Sequence, residues 1–231
     1  MKVEISELRS GYGSATILEG IDLVVPEHGA LAVVGRNGMG KSTLLKTVMG
    51  YIKPSKGKVV VQSRDITGWP TYRVTRLGVA YAAQEKSLFG ELSVDENLNV
   101  GKGRRCPPEI REEVLEYFPV LGKRLHQRAG TLSGGEQKML TLAKALVSEP
   151  DLLVLDEISD GLGPAVISAV GTALKALRAK HGCTILMVEQ NLDLSLDVAD
   201  DIAVLKLGSL TLEKPAGAKG LRDELVSALA P

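Results

Sequence analysis

The stretch Gly35-Arg36-Asn37-Gly38-Met39-Gly40-Lys41-Ser42 narrows the choice of folds more than any other part of the chain. It fits the pattern G-x-x-x-x-G-K-[S/T], and its surroundings give that pattern mechanical meaning. Residues 30–34 ahead of it read as a short buried strand, and residues 43–49 behind it read as a helix. A strand, a glycine-rich turn and a helix N-terminus form an anion cradle, because backbone N–H groups point inward and the helix dipole favours negative charge. Gly38 and Gly40 are free to take backbone angles that a side chain forbids, so that Gly35, Asn37 and their neighbours can wrap a phosphate closely. Lys41 is expected to reach the β- and γ-phosphates and Ser42 to ligate Mg²⁺. A chance match in a chain of this length has a frequency on the order of one in a hundred, given average glycine usage. Nucleoside triphosphate binding on an α/β frame is the expectation.

The 231 residues, 44% of them hydrophobic, can bury a substantial core. With 28 basic and 28 acidic side chains the formal net charge is zero, so no global field draws the chain to nucleic acid. The short run Lys102-Gly103-Arg104-Arg105 reads as a solvated loop. Cys106 and Cys183 lack metal-ligand spacing and read as reduced thiols of a cytoplasmic protein. The first residues alternate like a strand and carry no signal-peptide core, and no apolar run approaches the ~20 residues needed to span a bilayer. Any membrane role is therefore expected to pass through a partner chain.

Along the chain, residues 2–9 and 17–25 alternate as strands around a turn at 11–14, and 58–62 adds another strand, which predicts a small antiparallel sheet beside the nucleotide core. Residues 77–82, 151–157, 183–188 and 202–205 read as core strands, with a hairpin at 206–212, a helix over roughly 165–180 and a terminal helix at 220–229. Apolar strands alternating with helices predict a parallel sheet. Between 86 and 148 the pattern is helical. Pro107-Pro108 opens one helix, Pro119 ends it, and Met139, Leu140, Ala143, Leu146 and Val147 stripe another. The expected division is a nucleotide-binding core of 1–85 and 149–231 around a helical subdomain of 86–148.

Two further segments carry chemistry. Asp156 and Glu157 end an apolar strand, where ligand groups gather on an open parallel sheet. Asp156 suits Mg²⁺, and Glu157 suits the orientation or deprotonation of a water attacking the γ-phosphate. Ser133-Gly134-Gly135-Glu136 has the S-x-x-E spacing of a capping box. Capping does not require two glycines, which weaken a helix; they do permit close approach of a ligand to its N-terminus.

The segment Leu132–Gln137, placed between the phosphate loop and the Asp156-Glu157 strand, resembles the signature motif of ABC-type ATPases, and the resemblance runs over nearly the whole chain. It implies a RecA-like core with a parallel sheet, a small antiparallel β subdomain and a helical subdomain. It also implies that Thr43 completes the phosphate contacts and that Tyr12 stacks on adenine, although Tyr12 alone also fits a simple turn aromatic. Gln84 matches the glutamine that senses the γ-phosphate, joins the metal site and couples to a membrane partner. ATPase domains of this family pair head to tail, so Ser133, Gly134, Gly135 and Glu136 would contact ATP held by the other protomer. No N-K-x-D motif is present, in keeping with ATP rather than GTP. Gly35-Arg36-Asn37-Gly38, Ala129–Gln137 and Val188-Glu189-Gln190-Asn191 resemble the second ATPase subunit of branched-chain amino-acid, urea and short-amide importers. That subgroup implies transmembrane permease subunits, a second ATPase chain of the same or another kind, an extracellular solute-binding protein acting indirectly, and a place on the cytoplasmic face of the membrane.

The chain departs from the family in three places. Gln190 stands where most members carry a switch histidine; it can hydrogen-bond a γ-phosphate but cannot carry positive charge. Ile158 replaces the proline usual after the catalytic glutamate. Ser159-Asp160-Gly161-Leu162 differs from the common dimer-contact loop and puts the charge of Asp160 near the expected interface. Glu157, Gln84 and Gln190 form the expected catalytic set. His28, His126 and His181 read as surface or packing residues. The alternative to an importer subunit is a soluble ATPase scaffold of the kind used in iron–sulfur cluster assembly.

Overall fold

The computed structural model describes residues 1–84, 87–103 and 105–230. The long alternating strands β1 (Val3–Tyr12) and β2 (Ala15–Val25) form a hairpin around Gly13 and Ser14, a tighter turn than expected. Strand β3 (Ala30–Val34) is followed by the phosphate loop and helix α1 (Lys41–Val48), and then by β4 (Lys56–Val61), β5 (Arg64–Asp65), α2 (Thr71–Thr75) and β6 (Val79–Ala82). Four helices come next: α3 (Val94–Lys102), α4 (Pro108–Tyr117), α5 (Pro119–Gly122) and α6 (Gly134–Leu146). The chain closes with β7 (Leu152–Asp156), α7 (Pro164–His181), β8 (Thr184–Glu189), α8 (Leu192–Val198), β9 (Asp201–Lys206), β10 (Ser209–Pro215) and α9 (Leu221–Ala228).

The strands sort into two sheets. One is antiparallel, in the order β2-β1-β4-β5. The other runs β10-β9-β3-β8-β7-β6 and is parallel except for the edge hairpin β9–β10. Its inner strands are buried on both faces, and alternation sends successive residues to different cores. Ala30, Ala32 and Val34 of β3, Leu153 and Leu155 of β7, and Ile185 and Met187 of β8 pack with α6, α7, α8 and α9. Leu31, Val33, Leu152, Val154, Leu186 and Val188 face the other way, against Leu44, Leu45, Val48 and Met49 of α1 and the antiparallel sheet. Helix α1 is thus held between the two sheets, and its first turn is fixed from both sides.

Strand order decides where the chemistry meets. β8 lies between β3 and β7, and β6 flanks β7, so the C-terminal ends that lead into Gly35, Gln84, Glu157 and Gln190 stand side by side. Sequence periodicity did not place α2, α3, α8 or β5. Helix α3 carries a second capping box, Ser93 with Glu96, and α8 is capped by Asn191. The expected boundary at 85/86 falls on residues outside the described ones, as does Arg104 of the basic run. In that run the Lys102 ammonium pairs with Glu149. Both cysteines are free and buried, and burial pushes the Cys183 thiol up to about 12. His28 hydrogen-bonds the Gly182 carbonyl, which is a packing role. Among the described residues, no helix is long and apolar enough to cross a membrane.

Candidate active site

The phosphate loop is built from left-handed glycines. Gly38 has φ 80 and Gly40, the N-cap of α1, has φ 103. A Cβ on Gly40 would stand 2.9 Å from Leu18 Cδ2, and one on Gly35 would stand 2.6 Å from the Leu205 carbonyl oxygen. The fold of this chain therefore requires glycine at both positions. Lys41 is 3% exposed, and its Nζ donates to the Gly35 and Arg36 carbonyls at 2.6 and 2.9 Å. Its third partner is Glu157 Oε1 at 2.9 Å. A buried ion pair of this kind is expensive to break from either side, since the remaining charge is left without a partner.

Asp156 and Glu157 lie where β7 ends, both buried. Asp156 accepts from Ser42 Oγ at 2.9 Å and from the Tyr81 hydroxyl at 2.8 Å. Burial pushes its carboxyl above the usual range, the Tyr81 and Ser42 bonds pull it back, and the charge of Glu157 adds to the rise. The same burial and the Asp156 charge push the Tyr81 phenol well up, so it stays a donor. Glu157 has φ 47, a left-handed conformation that a non-glycine residue keeps only where its surroundings impose it. Gln84 Nε2 donates to Glu157 Oε2 at 3.1 Å. Gln190 Nε2 donates to Asn37 Oδ1 of the phosphate loop at 2.6 Å. A cavity of about 400 Å³ is lined by Tyr12, Gly38, Lys41, Thr43, Gln84 and Glu157. The half-exposed Tyr12 ring stands at its edge.

Gln84, Gln190, Asn37, Lys41, Ser42, Asp156 and Glu157 thus meet in one place. Ser133, Gly134, Gly135 and Glu136 take no part in that cluster. They form the start of α6, with both capping-box bonds made: the Glu136 N–H donates to Ser133 Oγ, and the Ser133 N–H donates to Glu136 at 3.0 Å. A Cβ on Gly134 would meet nothing within 4 Å, and one on Gly135 only Leu162 Cδ2 at 3.5 Å, an ordinary contact. Asp160 is less unusual than its sequence position implies, because Lys138 of α6 donates to its carbonyl and lies 3.5 Å from its carboxylate. Sequence reasoning gave Tyr81, Ser159 and Glu189 no individual role at the site. Tyr81 reaches Asp156 through the β6–β7 pairing that sets it opposite Val154, and no local spacing reveals such a pairing.

The donors around Ser42 are hydroxyl, carboxylate and amide oxygens, the chemistry a Mg²⁺-like cation prefers. Ser42 Oγ donates its hydrogen bond to Asp156, which leaves the hydroxyl's lone pairs to a cation. Among the described residues no group of three His, Cys, Asp or Glu side chains forms a metal cage. A cation there would be held by a few protein oxygens of mixed type together with substrate phosphates.

Residues 18–160 match the family model for the ABC transporter. The chain is 36% identical over 210 residues to the high-affinity branched-chain amino acid transport ATP-binding protein BraG of Pseudomonas aeruginosa, covering 90% of each chain. It is also 36% identical over 213 residues to a probable branched-chain amino acid transport ATP-binding protein, LivF, of Archaeoglobus fulgidus, covering 91% of this chain and 90% of that one. The crystal structure of a nucleotide-free ATP-binding cassette from an ABC transporter superposes with a TM-score of 0.84 at 25% identity, covering 98% of this chain and 96% of that one. The ADP conformation of MJ1267, another ABC transporter cassette, gives 0.81 at 26% identity, covering 93% and 91%. A family model matched over more than half of the chain, curated relatives 36% identical over nine-tenths of it, and solved cassettes of the same fold agree with the geometry of the phosphate loop and strand-end carboxylates: the chain belongs to the ABC transporter family, as one of its ATP-binding and ATP-hydrolysing cassettes.

Proposed function

We propose that this cassette energises an importer that takes up a small polar solute, of the branched-chain amino-acid, urea or amide type, through separate permease subunits. The relatives that match over nine-tenths of their length serve branched-chain amino acid transport, which favours this reading over a soluble scaffold. The observation that carries the catalytic part is the buried Lys41–Glu157 pair beside the Ser42–Asp156 bond, with Gln84 and Gln190 reaching the same point.

In this reading Tyr12 stacks on adenine, and Gly35, Asn37, Gly38, Gly40, Lys41 and Thr43 cradle the triphosphate. Ser42 and Asp156, with Gln84, would hold Mg²⁺, which would supply neutralisation of charge on the triphosphate. Lys41 exchanges the Glu157 carboxylate for phosphate oxygen, and the freed carboxylate orients the attacking water and takes its proton. Gln190 contacts the γ-phosphate as a neutral donor. Ser133, Gly134, Gly135 and Glu136 close over ATP held by a second cassette, identical or different. Support for that composite site comes from the two glycines, which the packing of this chain does not demand.

A groove of about 980 Å³ is lined by Tyr51, Thr71, Tyr81, Phe89, Val100 and Lys144, among others. Gln84 and Asp156 also line it, so a permease helix seated there would feel movement at the nucleotide. With 86–148 as a helical subdomain, the cassette would work on the cytoplasmic face of the membrane, peripheral to its permease and served at a distance by a solute-binding protein. Glu157→Gln tests the catalytic part. ATP binding should persist within about twofold while turnover falls by roughly 10²–10⁴, the usual share of a general base, and the dimer should stay closed with ATP. Unchanged turnover in the reconstituted transporter would remove Glu157 from the chemistry.

A further inference from the structure

We propose that Glu189 is a positioning residue for ATP hydrolysis: its buried carboxylate grips the turn that carries Glu157 and joins it to Gln190. The inference rests on the role assigned above to Glu157. Glu189 is the last residue of β8 and is 1% exposed. A carboxylate so far from water persists only where donors replace the water it has lost. Ser159 supplies two of them, its backbone N–H at 3.0 Å to Oε1 and its hydroxyl to Oε2.

The location of these bonds gives them their meaning. Ser159 lies two residues after Glu157. On the other side of Glu157, its own N–H donates to the Val188 carbonyl at 3.0 Å. Val188 and Glu189 are consecutive, so one strand end holds the chain both before and after the residue whose carboxylate must be aimed. Glu157 sits at φ 47, between these two anchors, in a conformation it would not keep alone. Ile158, between the anchors, is buried at 1% exposure and closes the turn from the core side. Gln190, next after Glu189, donates to Asn37 of the phosphate loop. Because β8 lies between β3 and β7, residues 188–190 touch both halves of the site: Val188 and Glu189 set the water-activating carboxylate, and Gln190 meets the loop that cradles phosphate.

A plain structural role for Glu189 would cost folding stability and weaken every property together. A positioning role lowers turnover and spares affinity, because the phosphate cradle does not depend on where Glu157 points. The full-length chain carrying Glu189→Gln or Ser159→Ala separates the two. Glutamine keeps the size but lacks the second acceptor oxygen, so it cannot accept both the Ser159 N–H and the Ser159 hydroxyl as the carboxylate does. We expect kcat to fall by roughly 10–100-fold, the cost of a misplaced reacting group, with KM for MgATP and the Kd of a fluorescent ATP analogue unchanged within about twofold. In a Glu157→Gln background the same substitutions should leave residual turnover unchanged, because the group they act through is already gone. Wild-type kcat in both variants would overturn the inference. So would kcat and nucleotide affinity falling together alongside a lowered melting temperature. If Glu189→Gln does not fold, Ser159→Ala, which removes one hydroxyl, decides the question by the same readouts. A wild-type chain without ATP turnover would instead remove the reading of Glu157 on which the inference stands.

Discussion

The glycines of the phosphate loop and those of the α6 N-terminus serve different masters. At Gly35 and Gly40 a side chain collides with this chain's own β9 carbonyl or β2 leucine, and Gly38 and Gly40 sit at φ values that favour glycine. Around them the polar groups are buried and already matched: Lys41 with three acceptors, Asp156 with two donors, Glu157 with Lys41 and Gln84. At Gly134 and Gly135 the chain has room for a methyl group, ordinary helical geometry and partial exposure to solvent. The first region is shaped by internal packing, whereas the second is lean for a reason its own packing does not supply. That contrast is what the proposed composite site requires: the first region would hold ATP, and the second would close over ATP on another chain.

The sharpest way to break the comparison is to damage each region in turn. Lys41→Ala should abolish ATP binding and turnover, and should also destabilise the fold by ~3–5 kcal/mol, because Glu157 is left buried without its cation. Gly135→Asp should leave the melting temperature and single-chain ATP affinity nearly unchanged while turnover falls at least ~100-fold, since a carboxylate then faces the partner's phosphates. Equal loss of ATP affinity in both variants would dissolve the distinction. Mixing the two inactive proteins sharpens it. If the chain pairs with itself, half of the dimers are mixed and each retains one intact composite site of two, so about a quarter of wild-type turnover should return. No recovery would point to a different cassette as the partner.

A smaller effect is expected at the link between the halves. Gln190→His should preserve ATPase activity or raise it by a few-fold, because an imidazole donates to a γ-phosphate as the amide does and can add charge. Complete loss in a steady-state assay would show that the Gln190–Asn37 bond is itself required. The smallest effect is a pH dependence. Burial holds the Glu189 carboxyl above its ordinary value of 4.5, with the bonds from Ser159 opposing the shift. A carboxyl raised in the folded state contributes stability that is full below its unfolded pKa and is lost as pH rises through its folded pKa. Glu189→Gln lacks this loss, so its melting temperature relative to wild type should move in the variant's favour from pH 4 to pH 7. A constant offset would show that Glu189 titrates as it does in the unfolded chain.

Local pattern made much of the molecule legible. The strand–loop–helix at 30–48, the carboxylates at 156 and 157 and the capping box at 133–136 lie within a few residues of the signals that mark them, and backbone geometry turns each pattern directly into structure. The strands at 152–156, 184–189 and 201–206 stood out because burial on both faces makes them continuous apolar runs. Helix α3 has the same S-x-x-E start as α6 but was not placed, since Val94, Leu98 and few other apolar residues give its face a weak period. Short α2 and α8 are held by packing rather than by their own pattern.

By itself, then, the sequence determined that a phosphate cradle, a pair of strand-end carboxylates and a capped glycine-rich helix exist in this protein, because each is a local consequence of residue type and spacing. The tertiary structure alone decided which of them meet. Pairing β8 between β3 and β7 brings Gln190 to Asn37 and Glu189 to Ser159, 153 and 30 residues apart respectively. It also buries Lys41 against Glu157 and leaves Ser133–Glu136 on a separate helix end. Hydrogen-bond register across a sheet is a property of strand order, and strand order depends on which buried faces pack together over the whole chain.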